Sequence, residues 1–265
     1  MFINHPPADY QGIPADDVCF VSSDQHVQLG YGYVIRFLQN ELYPEQPELF
    51  FLQLDAQSSA RSMLYGALYA RACQLHSSLS PARLYTQLSP EQNELLRFFE
   101  KMGLKNDDSE DLYSFYPPFG SRGAPMGFEY WQSPLANLQD ETALLERINR
   151  YRIQPVSRDY LTLWRQQEHF LALAYYRQGI PACECVVTGA GNTATLLSIY
   201  TLPQYRRQGM ASRLIESAGN LLRSQGVSTM YTHIFKRNQP QAALIRHLKG
   251  QFIRTVNLLP GVNLP

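Results

Sequence analysis

The sequence predicts an α/β (α+β) protein of two units, each a mixed, mostly antiparallel sheet flanked by helices. Two observations carry this prediction. Apolar runs of strand length alternate with amphipathic stretches of helix length, and part of the element order in the second half of the chain recurs in the first half. A segment rich in proline, glycine and aromatic residues, 116–125, separates the halves. The predicted domains are therefore 1–125 and 126–265.

The second half opens with two predicted helices, because Asp140 and Ser157 are typical of helix starts and apolar residues follow at helical spacing. Three strands come next, at 169–176, 180–187 and 194–201. Glycine-containing turns join them, so they are expected to form an antiparallel meander.

A helix to about residue 225, a strand at 228–234 and a last helix from Asn238 through Leu248 complete the predicted order. That order is two helices, three strands, helix, strand, helix and strand. The first half repeats its second part, with strands at 48–55 and 83–88, a helix at 59–75 and another that starts at Pro90.

The most informative stretch is a basic loop between a predicted strand and a predicted helix, Arg206-Arg207-Gln208-Gly209-Met210-Ala211. The first turn of a helix has unpaired backbone N–H groups and the positive end of the helix dipole, so it favours an anionic phosphate. Gly209 allows close approach of the backbone, and the two arginines add positive charge. Neither a nucleotide-triphosphatase loop nor a three-glycine dinucleotide fingerprint fits this spacing. The pattern therefore predicts a pyrophosphate site of another kind.

The pattern Arg/Gln-x-x-Gly-x-Gly/Ala, after a strand that ends just before Pro203, resembles the acyl-coenzyme A loop of the GNAT N-acetyltransferase superfamily. The predicted element order of residues 135–265 is similar to the GNAT fold, and Asn238 matches the family asparagine that contacts the pantetheine arm. The resemblance implies a tandem protein whose first unit is a degenerate GNAT-like domain, since that unit has Ala-Gln-Ser-Ser-Ala-Arg at 56–61 where the loop should stand. The first unit would complete the acceptor pocket or hold a homodimer interface.

The resemblance implies acetyl-coenzyme A as co-substrate and no metal. The residues expected to bind the coenzyme are Ile199, Tyr200, Thr201, Arg206, Arg207, Gln208, Gly209, Met210, Ala211, Ser212 and Asn238. Backbone N–H groups near Tyr200 and Thr201 would polarise the thioester carbonyl.

Relatives commonly have a carboxylate base on the fourth strand and a tyrosine acid in the last helix, and this sequence has neither. Glu184 on the neighbouring strand and His233 on the fifth strand are the candidate bases, acting through water. Ile245 occupies the place of the tyrosine, and Tyr200, Tyr231 or His247 would substitute for it. The candidate catalytic residues are Glu184, Tyr200 and His233.

The function that the resemblance implies is acetyl transfer to a primary amine, of a small molecule or of a peptide, by direct attack on the thioester. The alternative is a catalytically inactive sensor or interaction module that binds acyl-coenzyme A. Binding without turnover would separate the two.

Composition limits the remaining possibilities. A formal net charge of zero among 265 residues favours neither nucleic acid nor an anionic membrane as a partner. The four cysteines and six histidines form no metal-ligand spacing. The cysteines, at positions 19, 73, 183 and 185, are interpreted as buried thiols. Since no apolar run approaches the length of a membrane span, the expected location is the cytoplasm.

Overall fold

The computed structural model describes residues 1–38, 45–77, 79–120, 123–149 and 156–265. The predicted fold class is confirmed, because helices flank two mixed sheets. The described residues form two compact units, one of residues 1–109 and 256–265 and the other of residues 110–255. The division into domains at residue 125 stays a prediction, and residues 121 and 122 of the predicted connecting segment lie outside the described residues.

The elements in chain order up to residue 101 are β1 (Phe2–Asn4), β2 (Val18–Ser22), β3 (Gln28–Leu38), β4 (Glu48–Ala56), α1 (Arg61–Leu75), β5 (Ala82–Tyr85) and α2 (Asn93–Lys101). Those that follow are β6 (Ser109–Phe115), β7 (Glu129–Gln132), α3 (Leu138–Asn149), α4 (Arg158–Arg165), β8 (His169–Arg177), β9 (Ile180–Ala190), β10 (Thr193–Thr201), α5 (Met210–Ser224), β11 (Thr229–Phe235), α6 (Gln239–His247), β12 (Gln251–Leu258) and β13 (Gly261–Asn263).

The sheet of the first unit has the strand order β1-β2-β3-β4-β5-β13, and that of the second has the order β12-β6-β11-β10-β9-β8-β7. In the first sheet β4 and β5 run parallel, and the other pairings are antiparallel. In the second sheet β10 and β11 run parallel, and β6, β9, β8 and β7 pair antiparallel with their neighbours nearer the centre.

The two units share one internal order. Three antiparallel strands lead to a helix, a strand parallel to the third, and a second helix, as β2-β3-β4-α1-β5-α2 and as β8-β9-β10-α5-β11-α6. In each unit the parallel pairing covers four residue pairs, from Glu48 with Ala82 to Phe51 with Tyr85 and from Thr193 with Thr229 to Leu196 with Thr232. The third strand continues beyond that point in both units.

Several local signals in the sequence have their expected structural effect. Ser157 caps α4 by accepting a hydrogen bond from the Tyr160 N–H group, and Asn238 caps α6 by accepting one from Gln241. The helix predicted from Pro90 instead begins at Asn93, because residues 89–92 form a turn in which the Gln92 side chain accepts from the Ser89 N–H group. Strands β1 to β3 were not predicted.

Helix α5 buries its apolar side against the second sheet. Leu214, Ile215, Ala218 and Leu222 lie in one core cluster with Cys183 and Cys185 of β9. Burial raises the pKa of the Cys183 thiol to about 12 and that of Cys185 well above its usual value. Cys183, Cys185 and Cys19 are free and buried, as expected from the sequence, whereas Cys73 on α1 is free but only partly buried.

Residues 116–120 lie along the other side of α5. The Asn220 side chain donates a hydrogen bond to the Gly120 carbonyl oxygen at 2.6 Å, and the Arg223 guanidinium lies 5.4 Å from the centre of the Phe119 ring. Gly219 allows this approach, since a Cβ atom there would lie 2.3 Å from the Pro118 carbonyl oxygen.

No grouping of histidine, cysteine and acidic side chains suitable for a metal ion occurs in the part of the chain that the structure describes. None of the helices formed by the described residues combines the length and apolar character that a membrane crossing requires.

Substitution of a glycine by alanine tests the packing of α5, with Gly219 of α5 as the test position and Gly66 of α1 as the control. Gly66→Ala on the open surface of α1, where a Cβ would meet nothing within 4 Å, should raise the free energy of unfolding by about 0.8–1 kcal/mol through helix propensity. Gly219→Ala should lower it by about 1–3 kcal/mol because Pro118 must shift. Urea unfolding measures both changes, and a stabilising Gly219→Ala would contradict the close contact of α5 with residues 116–120.

Candidate functional site

The second sheet opens between β10 and β11. Their parallel pairing ends at Leu196 and Thr232, although β10 continues to Thr201 and β11 to Phe235. Thr232 is fully buried, and its hydroxyl group donates a hydrogen bond to the Leu196 carbonyl oxygen at 3.1 Å. Beyond this bond the facing edge of β10 is not paired with β11. We call this opening the strand split.

A β-bulge in β10 lies at the same place. The pairing of β9 with β10 shifts register between Leu196 and Ser198. Leu196 before the bulge and Ile199 after it both pack on the core under α5, whereas Leu197 packs on the cluster of α3 and α4. The bulge therefore shifts the alternation of side chains along the end of β10 by one residue, so that Leu196 and Ile199 face the same side of the sheet. It places Tyr200 directly opposite Glu184.

The predicted coenzyme loop follows the end of β10. A short turn at Pro203–Tyr205 leads to Gly209, which precedes the first residue of α5 with a φ of 74°, in the left-handed region that favours glycine. Arg207 also has a left-handed φ, of 60°. Met210 is buried in the core and fixes the first turn of the helix, while residues 206–209 are exposed.

The loop presents a row of backbone donors. The Arg213 N–H group bonds the Gly209 carbonyl oxygen at 3.1 Å, but no acceptor among the described residues takes the N–H groups of residues 207–212. These donors surround the N-terminus of α5, where the helix dipole is positive. The arrangement is suited to an anion with several oxygen atoms.

Side chains of the loop are held by the protein itself. Arg206 donates from Nε to the Thr201 carbonyl oxygen at 2.9 Å, and its guanidinium lies 5.5 Å from the centre of the Tyr200 ring. Tyr205 packs edge-on against Phe128, and the Arg177 guanidinium lies over both rings. These contacts hold the turn against its neighbours.

Of the other residues predicted to bind the coenzyme, all except Asn238 lie on this loop or next to it. Thr201 ends β10 and donates a hydrogen bond to the Cys183 sulfur atom at 3.2 Å. The loop also contains Gln208, bonded to the Gln204 carbonyl oxygen, and Ala211 and Ser212 of the first helical turn, both partly buried. Asn238 caps α6, and its side chain both accepts from the Gln241 N–H group and donates to the Gln241 side chain.

Glu184 lies on the sheet face covered by α3. It is 7% exposed, and its Oε2 atom accepts a hydrogen bond from Arg147 Nε at 2.8 Å. Burial raises the pKa of the Glu184 carboxyl group, and the Arg147 charge opposes this shift. The sequence did not single out Arg147, because its partner is 37 residues away and only the packing of α3 on β9 joins them.

His233 follows Thr232 on β11, at the strand split. Its Nδ1 atom lies 3.3 Å from a Glu110 carboxylate oxygen on β6, and its side chain is 41% exposed. Ile245, which stands where relatives of the expected family have a tyrosine, is buried in the core. The three candidate catalytic residues thus lie on three neighbouring strands, with Glu184 and Tyr200 in direct register.

Comparison with known proteins gives the following matches. Residues 128–249 match the model of the acetyltransferase (GNAT) family. The chain is similar to a GCN5-related N-acetyltransferase from Sphaerobacter thermophilus at 14% identity, with 96% of this chain and 82% of that chain covered and a TM-score of 0.53. It is similar to a conserved protein of unknown function from Enterococcus faecalis at 12% identity, with 92% and 61% covered and a TM-score of 0.61. No curated protein sequence matches significantly.

Thr232→Val tests the strand split. The variant keeps the side-chain shape but leaves the buried Leu196 carbonyl oxygen without its hydroxyl donor, so the free energy of unfolding should fall by about 1–3 kcal/mol. Thr232→Ser keeps the donor and is the matched control. If urea unfolding shows the two variants equally stable, the hydroxyl group does not hold the end of the β10–β11 pairing.

Proposed function

Residues 128–249 form a domain of the acetyltransferase (GNAT) family, as the resemblance implied, and from this premise we propose that the protein is an acetyl-coenzyme A-dependent N-acetyltransferase. It transfers the acetyl group to a primary amine by direct attack on the thioester. The observation that carries the proposal is the row of backbone N–H groups at residues 207–212, which bond to no acceptor in the described part of the chain and lie beside the strand split.

The coenzyme pyrophosphate binds this row of donors. Its charge and its several oxygen atoms suit the start of α5, and Arg207 and Arg213 add positive charge at the two ends of the row. Gly209 lets the phosphates approach the backbone. Arg206 steadies the loop through its bond to Thr201.

The pantetheine arm enters the strand split. Its amide groups need hydrogen-bond partners, and the edge of β10 beyond Leu196, which includes Ser198 and Ile199, does not pair with β11. The arm brings the thioester to Tyr200 and Thr201. Asn238 contacts the arm by exchanging one of its bonds to Gln241 for a bond to the ligand.

The reaction forms a C–N bond and breaks the C–S bond. The amine loses a proton and the departing thiolate gains one. His233 is the better placed base, because Glu110 holds Nδ1 and no described residue takes Nε2, which is then available to the amine or to a water molecule. Tyr200 protonates the thiolate, with the nearby Arg206 charge stabilising the phenolate that results.

A second candidate function keeps the binding site without the chemistry. The buried Ile245 leaves α6 without the tyrosine acid of relatives. If Tyr200 does not replace it, the protein is a sensor that binds acyl-coenzyme A and changes its partners without turnover.

Calorimetric titration with acetyl-coenzyme A, followed by a thiol-release assay over a panel of amines, tests the proposal. We expect saturable binding and amine-dependent release. Binding without release across the panel would favour the sensor, and absence of binding would overturn both functions.

Gly209→Glu should abolish coenzyme binding without unfolding the protein. The substitution adds a side chain and a negative charge beside the phosphates. Gly226→Glu is the matched control, because Gly226 is also left-handed, at the other end of α5, with open space around it. Calorimetry and circular dichroism measure the two properties. Equal affinity of the two variants would remove the loop from the site.

His233→Gln should lower kcat by about 10²–10⁴-fold, because general base catalysis typically contributes that much. Affinity for acetyl-coenzyme A should remain within about threefold. The exposed His26 is far from this machinery in sequence and lies in the first unit, so His26→Gln is the control. A kcat within a factor of three of the parent enzyme would exclude His233 as the base.

A further inference from the structure

Arg147 projects from α3 onto a buried carboxylate. Its Nε atom donates to Glu184 Oε2 at 2.8 Å, its side chain is 24% exposed, and Glu184 is almost fully buried. A carboxylate removed from water needs a positive partner, so this contact fixes the stem of Arg147 and the direction of its guanidinium group.

Only one nitrogen atom of that group is engaged. No acceptor among the described residues takes a hydrogen bond from the two terminal nitrogen atoms of Arg147. These atoms form the planar pair of donors that binds a carboxylate with two parallel hydrogen bonds. Glu184 therefore acts as the anchor of an arginine whose binding end is available.

Arg147 lies over a row of cross-strand neighbours on one sheet face. Tyr200 is opposite Glu184, Glu184 is opposite Ala174, and Ala174 is opposite Trp131 on the edge strand β7. Directly opposite residues share a face of the sheet and lie about 5 Å apart. Ala174, which is 4% exposed, lies between the Glu184–Arg147 pair and Trp131 in this row.

The far end of this row is aromatic. Trp131 is 54% exposed, and its ring meets that of Tyr176 edge-on with the centroids 6.4 Å apart. Tyr176 also lies within electrostatic reach of Arg147 and Glu184. A polar anchor and an apolar wall thus share one face, next to the strand end where the proposed function puts the thioester.

We propose that the acceptor is an α-amino acid with an aromatic or large aliphatic side chain. Arg147 binds its carboxylate, Trp131 and Tyr176 contact its side chain, and its amine points toward Tyr200. This inference rests on the proposed function, and it names the acceptor class of the same site.

A cationic acceptor without a carboxylate is the competing possibility, because Asp140 also lies near Tyr176. The Asp140 carboxylate, however, already accepts a hydrogen bond from the Asn137 side chain, which caps the start of α3 by accepting one from the Asp140 N–H group. Arg147 neutralises the charge of Glu184. The available donors therefore favour an anionic group on the acceptor.

Matched acceptor pairs test the proposal: L-tyrosine with tyramine, L-tryptophan with tryptamine, and L-leucine with 3-methylbutylamine. The thiol-release assay should give a kcat/KM about a hundredfold higher for each amino acid than for its decarboxylated partner, since the arginine is left unpaired by the amine. Equal or better use of the amines would overturn the inference while leaving the proposed function intact. If none of the six compounds gives thiol release, the inference is overturned, and absence of release across the wider amine panel as well would overturn the proposed function.

Variants of Arg147 and Glu184 test whether this pair causes the preference for amino acids over the corresponding amines. Arg147→Met would leave Glu184 buried without a partner, so the double variant Arg147→Met/Glu184→Gln removes both charges together. In this double variant kcat/KM for each amino acid should fall to that of its decarboxylated partner measured with the same variant, so that a general loss of activity cancels in the ratio. Arg147→Lys should restore part of the preference. A preference that survives in the double variant would exclude Arg147 as the carboxylate site.

Trp131→Ala addresses the apolar wall. KM should rise about tenfold for L-tyrosine and remain nearly constant for glycine, with kcat little changed for either. Tyr160→Ala is the control, because Tyr160 is a similarly exposed aromatic residue on α4. An equal rise in KM for both acceptors would show that Trp131 does not contact the acceptor side chain.

Discussion

The candidate site depends on one constraint, the early end of the pairing between β10 and β11. Leu196 and Thr232 form the last pair, closed by a buried hydroxyl-to-carbonyl bond. β10 continues beyond this pair to Thr201 without pairing with β11. The bulge at the same position sets the register that brings Tyr200 opposite Glu184. The loop, the strand split and the catalytic candidates all follow from the path of this one strand.

The first unit has the same short parallel pairing as the second, but it lacks the basic loop between the third strand and the helix. Its parallel pairing also covers four residue pairs, and Arg61 donates from Nε to the carbonyl oxygen of Ala56, as Arg206 does to Thr201. Only residues 57–60 separate β4 from α1, however, and among them the N–H groups of Gln57 and Ala60 already bond to the carbonyl oxygens of Leu29 and Gln57. Arg61 also pairs with Glu94. Unit 1 thus shares the strand and helix order of unit 2, with a shorter connection in place of the basic loop.

Local signals made part of this site predictable. The glycine at the start of α5, the capping residues Ser157 and Asn238, and the three-strand meander all act over a few residues, and the sequence indicated each. Contacts between distant residues were not predictable. The Arg147–Glu184 pair joins a helix to a strand, and β6 pairs with β11 although more than a hundred residues separate them. Such contacts depend on packing and strand register, which a single sequence does not encode locally.

The central claim is that the N–H groups of residues 207–212 bind the coenzyme phosphates. Amide hydrogen exchange of the whole protein, with and without acetyl-coenzyme A, tests it most directly. Protection that rises in residues 207–212 and along the end of β10, with little change in residues 57–61 of the first unit, is the predicted result. Unchanged exchange in residues 207–212 under saturating coenzyme would contradict the account.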